Sequence, residues 1–238
     1  MDINFKKQIM NDFSISHDDF KDKNNIFTVN KADESFLFYN KAPFAAICTG
    51  GKVFMRSENP YLINKLRKNF KEYPGAWFAE IANIRILDKI LGEFGIEIDN
   101  FFPLMSFSDR KILVKDFAFT RIERNDIENF KGKTKMAFAF DEDDRIGLSF
   151  YDSKNLIALA GASVSGKYLW DIGLEKFSKE PKYQGLAASI LRSLSLIIRE
   201  ENPSISPITA TQFSHTKSIN TAIRAGYEMN LCITGKQK

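Results

Sequence analysis

The clearest pattern lies in the second half of the chain. Apolar-rich runs at 145–152, 156–164 and 168–177 are separated by Asp152-Ser153-Lys154-Asn155 and by Ser165-Gly166. Short apolar runs bounded by turn residues predict three successive strands joined by hairpins. Residues 185–200 then carry apolar positions at helical spacing, and Asn202-Pro203 ends that helix, because the residue before a proline is pushed out of the helical region. A strand over 208–213, a helix over 215–225 closed by Gly226, and a last strand from Tyr227 complete the pattern. The order is β-β-β-α-β-α-β. Hairpins followed by a crossover helix predict an α/β (α+β) fold with a mixed, largely antiparallel sheet flanked by helices, not a doubly wound parallel sheet.

The first half reads differently. Residues 1–25 are polar and rich in Asn, Asp and Lys, suited to a helix or a loose arm. Runs at 35–39 and 43–56 predict strands, with Gly50-Gly51 as a hairpin turn. A helix is expected over 60–71 with Pro60 in its first turn, and Tyr73-Pro74-Gly75 breaks it. Phe78, Ile81, Ile84, Leu87, Ile90 and Leu91 recur with a helical period over 76–94, and Gly95 stands where a C-terminal cap would. Residues 96–105 look extended. After residue 112 a strand is expected over 113–123 and a helix start at 125–128. These signals divide the chain into a smaller α/β domain at 1–111 and a second domain at 112–238. No constellation of chemically active residues stands out before residue 110.

Composition narrows the functional classes. The chain has 238 residues, 44% hydrophobic and 27% charged, enough for a real core. Its 22 phenylalanines read as core filling. A formal charge of +4 suits an anionic ligand, but no long basic stripe points to nucleic acid. Lys65, Arg67, Lys68 and Lys71 lie at helical spacing and read as a solvated helix face. Two cysteines (Cys48, Cys232) and two histidines (His17, His215) form no disulfide framework and no metal-ligand pattern. No signal-peptide core and no membrane-spanning apolar run is present, so a cytoplasmic protein is expected, with no metal, nucleic acid or membrane partner.

Candidate chemistry concentrates in residues 167–191. A strand carrying Asp171 and Glu175 runs into a short polar loop, a small-residue turn and an apolar helix. The start of a helix presents unpaired N–H groups that suit a phosphate. Asp171 and Glu175 are four residues apart, so a regular strand puts both on one face.

At Lys182-Tyr183-Gln184-Gly185-Leu186-Ala187 the chain resembles the Arg/Gln-x-x-Gly-x-Gly/Ala signature of the GNAT superfamily of N-acetyltransferases, with Lys in the first position. A second register, Gln184-x-x-Ala187-x-Ser189, lacks the central glycine. The hairpin over 160–177 and the stretch 214–227 are also similar to the family. His215 stands at the family's Asn position, Ser218 at its Ser position, and Gly226-Tyr227 at its Gly-Phe position. The resemblance covers about residues 112–238, and the first half fits family members with an extra N-terminal domain.

The resemblance implies acetyl-CoA as co-substrate, an amine acceptor (small molecule or peptide), and a possible homodimer. It places the pyrophosphate on the backbone of 182–187, with Gly185 allowing close approach, and the pantetheine arm on backbone groups of Lys176 and Phe177. His215 and Ser218 fall within the implied cofactor site. An alkylamine with a pKa around 10 must lose a proton to attack. Asp171 is the first candidate base, directly or through water, and Glu175 the second. The family's thiolate-protonating Tyr corresponds to Ala222 here, which leaves Ser218, His215, Tyr183 or water for that step.

Overall fold

The computed structural model describes residues 1–108 and 110–238. The first elements along the chain are α1 (Ile3–Asp12), α2 (His17–Lys21), β1 (Ile26–Val29), β2 (Phe44–Thr49), β3 (Lys52–Ser57), α3 (Pro60–Phe70), α4 (Ile81–Gly92) and β4 (Ile96–Phe107). There follow β5 (Thr120–Ile122), β6 (Asp144–Asp152), β7 (Asn155–Val164), β8 (Leu169–Lys176), α5 (Leu186–Glu201), β9 (Ser206–Ala210), α6 (Thr216–Ala225) and β10 (Tyr227–Gln237).

Two compact units result, and they do not follow the expected cut at 111/112. The first holds Met1, residues 6–104 and residues 230–238; the second holds 2–5 and 105–229. The C-terminal residues join the first unit because β10 pairs antiparallel with β2 from Leu231↔Cys48 to Gly235↔Phe44. Residues 105–107 belong to the second because Met105 and Phe107 enter its core, where the Phe107 ring meets Tyr227 edge-on at 5.3 Å.

In the first unit the strand order is β1-β3-β2-β10-β4. The β2–β3 hairpin turns at Gly50 and Gly51, with φ of +58° and +77°. Two positive φ values in a two-residue loop match the twist of the flanking strands. Helix α3 starts where Asn59 accepts from the N–H groups of Tyr61 (2.9 Å) and Leu62 (3.2 Å), with Pro60 in the first turn. Leu62, Ile63, Leu66 and Phe70 of α3 and Leu87, Ile90 and Leu91 of α4 bury against Phe44, Ala46, Val53 and Met55 of the hairpin.

Two expectations for this unit are corrected. Residues 35–39 are not a strand: the buried Asp12 carboxylate accepts from Leu37 N–H (3.2 Å) and Asn40 Nδ2 (2.6 Å) and draws the chain into a 3₁₀ turn over Phe38–Lys41. The helix expected over 76–94 begins only at Ile81. Gly75 lies so close to the hairpin that a Cβ there would sit 2.5 Å from the Gly51 carbonyl oxygen, and a 3₁₀ turn over Gly75–Trp77 precedes the helix.

The second unit shows the expected mixed, largely antiparallel architecture. Strands β5 to β8 pair antiparallel in sequence order, and β9 joins β8 in parallel. Leu186, Ile190, Leu191, Leu194 and Ile198 of α5 recur with a helical period. They share one core with Ile172 of β8 and with Ala222 and Ala225 of α6, and Trp170 and Leu174 of β8 pack against it.

Three boundaries differ here. The strand expected over 113–123 shrinks to Thr120–Ile122, because side chains of α5 hold the preceding backbone. Ser189 Oγ donates to the Lys115 carbonyl (2.7 Å), and Arg192 Nη2 to that of Arg110 (3.1 Å). The helix start at 125–128 is a 3₁₀ helix over Arg124–Phe130, and the strand expected over 208–213 is Ser206–Ala210.

On the sheet face away from α5, a row of glycines crosses three strands: Gly147 opposite Gly161, and Gly161 opposite Gly173. The backbone of 136–137 and the Phe138 ring lie directly on it. A Cβ on Gly173 would sit 1.7 Å from the Met136 carbonyl oxygen, and one on Gly161 would sit 2.1 Å from that of Ala137. Glycine is required here for close approach, not for its φ.

Candidate functional site

The site is built on β8 and the turn that follows it. Successive side chains of a strand alternate between faces. Trp170, Ile172 and Leu174 therefore face the α5 core, and Asp171, Gly173 and Glu175 share the opposite face. Rows of paired residues continue across that face: Asp144–Ser163–Asp171, then the three glycines, then Ser149–Leu159–Glu175.

The pairing of β8 with β9 is short. It runs through Leu169↔Ser206, Trp170↔Pro207 and Asp171↔Ile208, although β8 continues to Lys176. Thr209 Oγ1 donates to the Ile172 carbonyl (2.8 Å) just past the last pair. On its other side β8 stays paired with β7 as far as Lys176↔Ala158. Antiparallel pairing directs the backbone groups of alternate residues to opposite sides of the strand. Ser165 N–H donates to the Leu169 carbonyl (3.0 Å) and Phe177 N–H to that of Ile157 (2.8 Å), so the odd-numbered residues turn toward β7. Leu174 and Lys176 turn their N–H and C=O the other way, beyond the end of the β9 pairing. The Lys176 expectation fits this geometry. The Phe177 amide does not, because it is engaged by Ile157. Leu174 was missed, since only the register reveals which residues face the open edge.

The turn between β8 and α5 is a 3₁₀ helix over Pro181–Tyr183 followed by Gln184 and Gly185. Tyr183 N–H donates to the Glu180 carbonyl (3.1 Å) and Gln184 N–H to that of Pro181 (3.0 Å), so neither amide faces a ligand. Gly185 takes φ +90°, ψ −17°, the left-handed region that glycine tolerates, and no side chain caps α5. The first helical bond is Ser189 N–H to the Gly185 carbonyl (3.0 Å). The amides of Gly185, Leu186, Ala187 and Ala188 precede it and have no partner within the helix. Of the expected cradle over 182–187, the amides at Gly185, Leu186 and Ala187 are therefore available, and Ala188 extends the set.

Lys182 is not a free cation. Its Nζ lies 2.7 Å from Asp152 Oδ2 and 3.4 Å from Glu180 Oε2. Tyr183, itself buried, donates its hydroxyl to the same Asp152 oxygen at 2.5 Å. The hydrogen bonds from Lys182 and Tyr183 lower the Asp152 pKa, and the bond to Asp152 raises that of Lys182. Desolvation, and then the bond to Asp152, raise the Tyr183 pKa, which makes its phenol a poor acid. Asp152 read as a turn residue in the sequence; only the fold brings it to Lys182 and Tyr183. Lys115 was also missed. Its Nζ donates to the Lys182 carbonyl at 3.3 Å, and its Cβ lies 3.6 Å from where a Gly185 Cβ would stand.

The two strand carboxylates have different surroundings. Asp171 sits opposite Ser163, whose hydroxyl donates to Asp144 (2.6 Å). Glu175 Oε2 accepts from Thr134 Oγ1 and from Lys135 N–H (2.9 Å). At the start of α6, Ser218 Oγ lies 3.1 Å from His215 Nδ1 and Thr211 Oγ1 3.5 Å from it, so His215 and Ser218 form an exposed pair. Ala222 is buried. Tyr227 is a core residue: its hydroxyl meets Ser195 Oγ at 2.6 Å, and burial raises its pKa. Among the described residues, no three His, Cys, Asp or Glu side chains group as metal ligands, and no helix is long and apolar enough to cross a membrane.

No family model and no curated protein compared with the chain matches it. Among solved structures it is similar to a GCN5-related N-acetyltransferase-like protein from Streptococcus suis 89/1591 (14% identity, 90% of this chain, 89% of that one, TM-score 0.40). It is also similar to a GCN5-related N-acetyltransferase from Kribbella flavida (16% identity, 64% of each chain, TM-score 0.44). A third is an acetyltransferase from the GNAT family from Colwellia psychrerythraea (10% identity, 60% of this chain, 57% of that one, TM-score 0.40). The chain spans less than two thirds of the last two proteins. These likenesses concern the fold.

Proposed function

We propose that this chain is an acetyl-CoA-dependent N-acetyltransferase that passes an acetyl group to a primary amine, of a small molecule or a peptide, by direct attack on the thioester. The observation that carries the reading is the parting of β8 from β9 after Asp171↔Ile208, on the strand that leads through a short turn to the uncapped start of α5. An open strand edge leading into unpartnered helix amides suits a ligand with amide groups at one end and a pyrophosphate at the other. Leu174 and Lys176 would pair with the pantetheine amides, and Gly185–Ala188 would hold the pyrophosphate through N–H groups and the helix dipole. The fit is a backbone fit, since Lys182 is already neutralised by two carboxylates.

Acetyl-CoA supplies the activated carbonyl carbon. The new bond is amine nitrogen to that carbon, and the bond that breaks is carbon to sulfur. Asp171 takes the amine proton, directly or through one water. A backbone N–H on the open edge of β8 polarises the carbonyl oxygen. The sulfur leaves as a thiolate with a pKa near 8.5, so water or the exposed His215–Ser218 pair suffices to reprotonate it without a tyrosine at Ala222.

A second reading, a non-catalytic acyl-CoA-binding module, is favoured by two features: the neutralised Lys182 and the alanine at 222. Both readings predict that acetyl-CoA raises the Tm. They part on release of free CoA from acetyl-CoA with a panel of amines. Release with at least one amine supports the enzyme. A Tm shift with no release from any amine leaves only the binding module.

A further inference from the structure

Residues 134–140 form a strap across the β6–β8 face, and its path is held at both ends by carboxylates. At one end Glu175 accepts from Thr134 Oγ1 and Lys135 N–H (2.9 Å). Thr134 Oγ1 in turn accepts from Ala137 N–H (3.0 Å) and, longer, from Met136 N–H (3.3 Å). At the other end the buried Asp144 accepts from Phe140 N–H (2.7 Å), Ala139 N–H (3.3 Å) and Ser163 Oγ (2.6 Å). Between the anchors the strap backbone rests on Gly161 and Gly173, and Ala137 and Phe138 bury with Leu159, Ile122, Ile127 and Phe130.

Asp171 is two residues from Gly173 on the same face, about 7 Å along the strand. The strap therefore crosses β8 at the next same-face position after Asp171. The Glu175 carboxylate, engaged by a hydroxyl and an amide of that strap, is not arranged as a second base.

We propose that Glu175 is a positioning residue for the acyl transfer: it fixes the 134–140 strap beside Asp171 and takes no proton from the acceptor. This inference rests on the transferase reading above. An anchor needs only an acceptor oxygen, so Glu175→Gln retains the role and Glu175→Ala loses it. A base needs an ionisable group, so both substitutions would abolish it.

The test uses the full chain with acetyl-CoA and an amine that wild type acetylates. It compares wild type, Glu175→Gln, Glu175→Ala and Thr134→Val in kcat, KM for the amine, the pH profile, and amide hydrogen exchange over 134–140. Glu175→Gln is expected to stay within about threefold of wild type with the same pH profile, a change small beside the roughly 10²–10⁴-fold that a general base contributes. Glu175→Ala is expected to exchange faster over the strap and to lose about 10²-fold in kcat/KM for the amine, the scale of a catalytic group misplaced by an ångström. Its Tm shift with acetyl-CoA should remain. Thr134→Val, which keeps Glu175 and removes the hydroxyl, should lie between them.

Equal loss in Glu175→Gln and Glu175→Ala, with unchanged strap exchange and rescue at high pH, overturns the positioning role and makes Glu175 the base. Wild-type exchange rates over the strap in Glu175→Ala overturn the anchor. A wild-type chain that binds acetyl-CoA but acetylates no amine overturns the transferase reading, and the reaction role of Glu175 with it. Strap exchange in that chain still reports the anchor separately.

Discussion

The two units differ in where their polar groups are left without partners. The first buries charge and surrounds it. Arg56 is fully buried and donates to the carbonyls of Asn40 (2.7 Å), Ala42 (2.8 Å) and Asn30 (2.8 Å) and to Asn30 Oδ1 (3.0 Å). Asp12, also fully buried, accepts from Gln8 (2.6 Å), Asn11 (3.2 Å), Leu37 and Asn40. The second unit also matches its buried acid, Asp144, but leaves backbone without strand or helix partners at the edge of β8 past Asp171 and at the start of α5. Buried charge must be matched by many partners or it destabilises the fold, so such networks fix a chain path. Unpaired backbone is tolerated only where water or a ligand completes it. The first arrangement specifies structure, and the second is the edge on which the proposed cofactor binding rests.

The comparison can be broken most sharply at the glycine row. Gly173→Ala sets a methyl against the Met136 carbonyl, and backbone has to move. A loss of about 3 kcal/mol in urea unfolding is expected, at the upper end of overpacking costs. Wild-type stability would mean that the strap does not rest on β8.

The next largest effect concerns the buried acid of the first unit. Burial pushes the Asp12 carboxyl up from 3.8 to about 6, and hydrogen bonds from Asn40, Gln8, Asn11 and Leu37 only partly offset it. A folded-state pKa above the unfolded value means that the folded chain holds the proton longer. The stability contribution is complete below about pH 4 and is lost as pH rises through about 6. Relative to Asp12→Asn, wild type should therefore lose on the order of 2–3 kcal/mol between pH 4 and pH 7. Stability profiles that stay parallel over that range would remove Asp12 as the source.

Gly185→Val tests the binding edge. A branched residue at φ +90° carries strain of about 1–3 kcal/mol and brings bulk toward Lys115. Acetyl-CoA affinity, read by calorimetry, should fall tenfold or more, about 1.4 kcal/mol. Unchanged affinity would move the phosphate site elsewhere. Lys182→Ala should have the smallest effect, because its ammonium is already paired with Asp152 and Glu180. A change within about threefold is expected, since exposed ion pairs contribute little. A large loss would mean that Lys182 leaves Asp152 to meet the ligand.

Legibility in the sequence follows the range of the forces involved. The hairpins of the second half, the α5 and α6 helices and the Gly50-Gly51 turn were readable, because apolar period and turn chemistry act over neighbouring residues. The strand expected at 35–39 failed because Asp12, more than twenty positions earlier, captures Leu37 and Asn40. The strand expected at 113–119 failed because Ser189 and Arg192 hold that backbone.

By itself the sequence determined the element order from residue 145 onward, the shared face of Asp171 and Glu175, and the glycine that opens α5. Alternation along a strand and the φ preference of glycine are local properties. Only the tertiary structure decided that the Phe177 amide is engaged by Ile157, that Asp152 neutralises Lys182, and that Glu175 holds a strap. Each of those facts depends on strand register or on a partner distant in sequence, and a hydrogen bond between remote residues exists only once the chain has closed the loop between them.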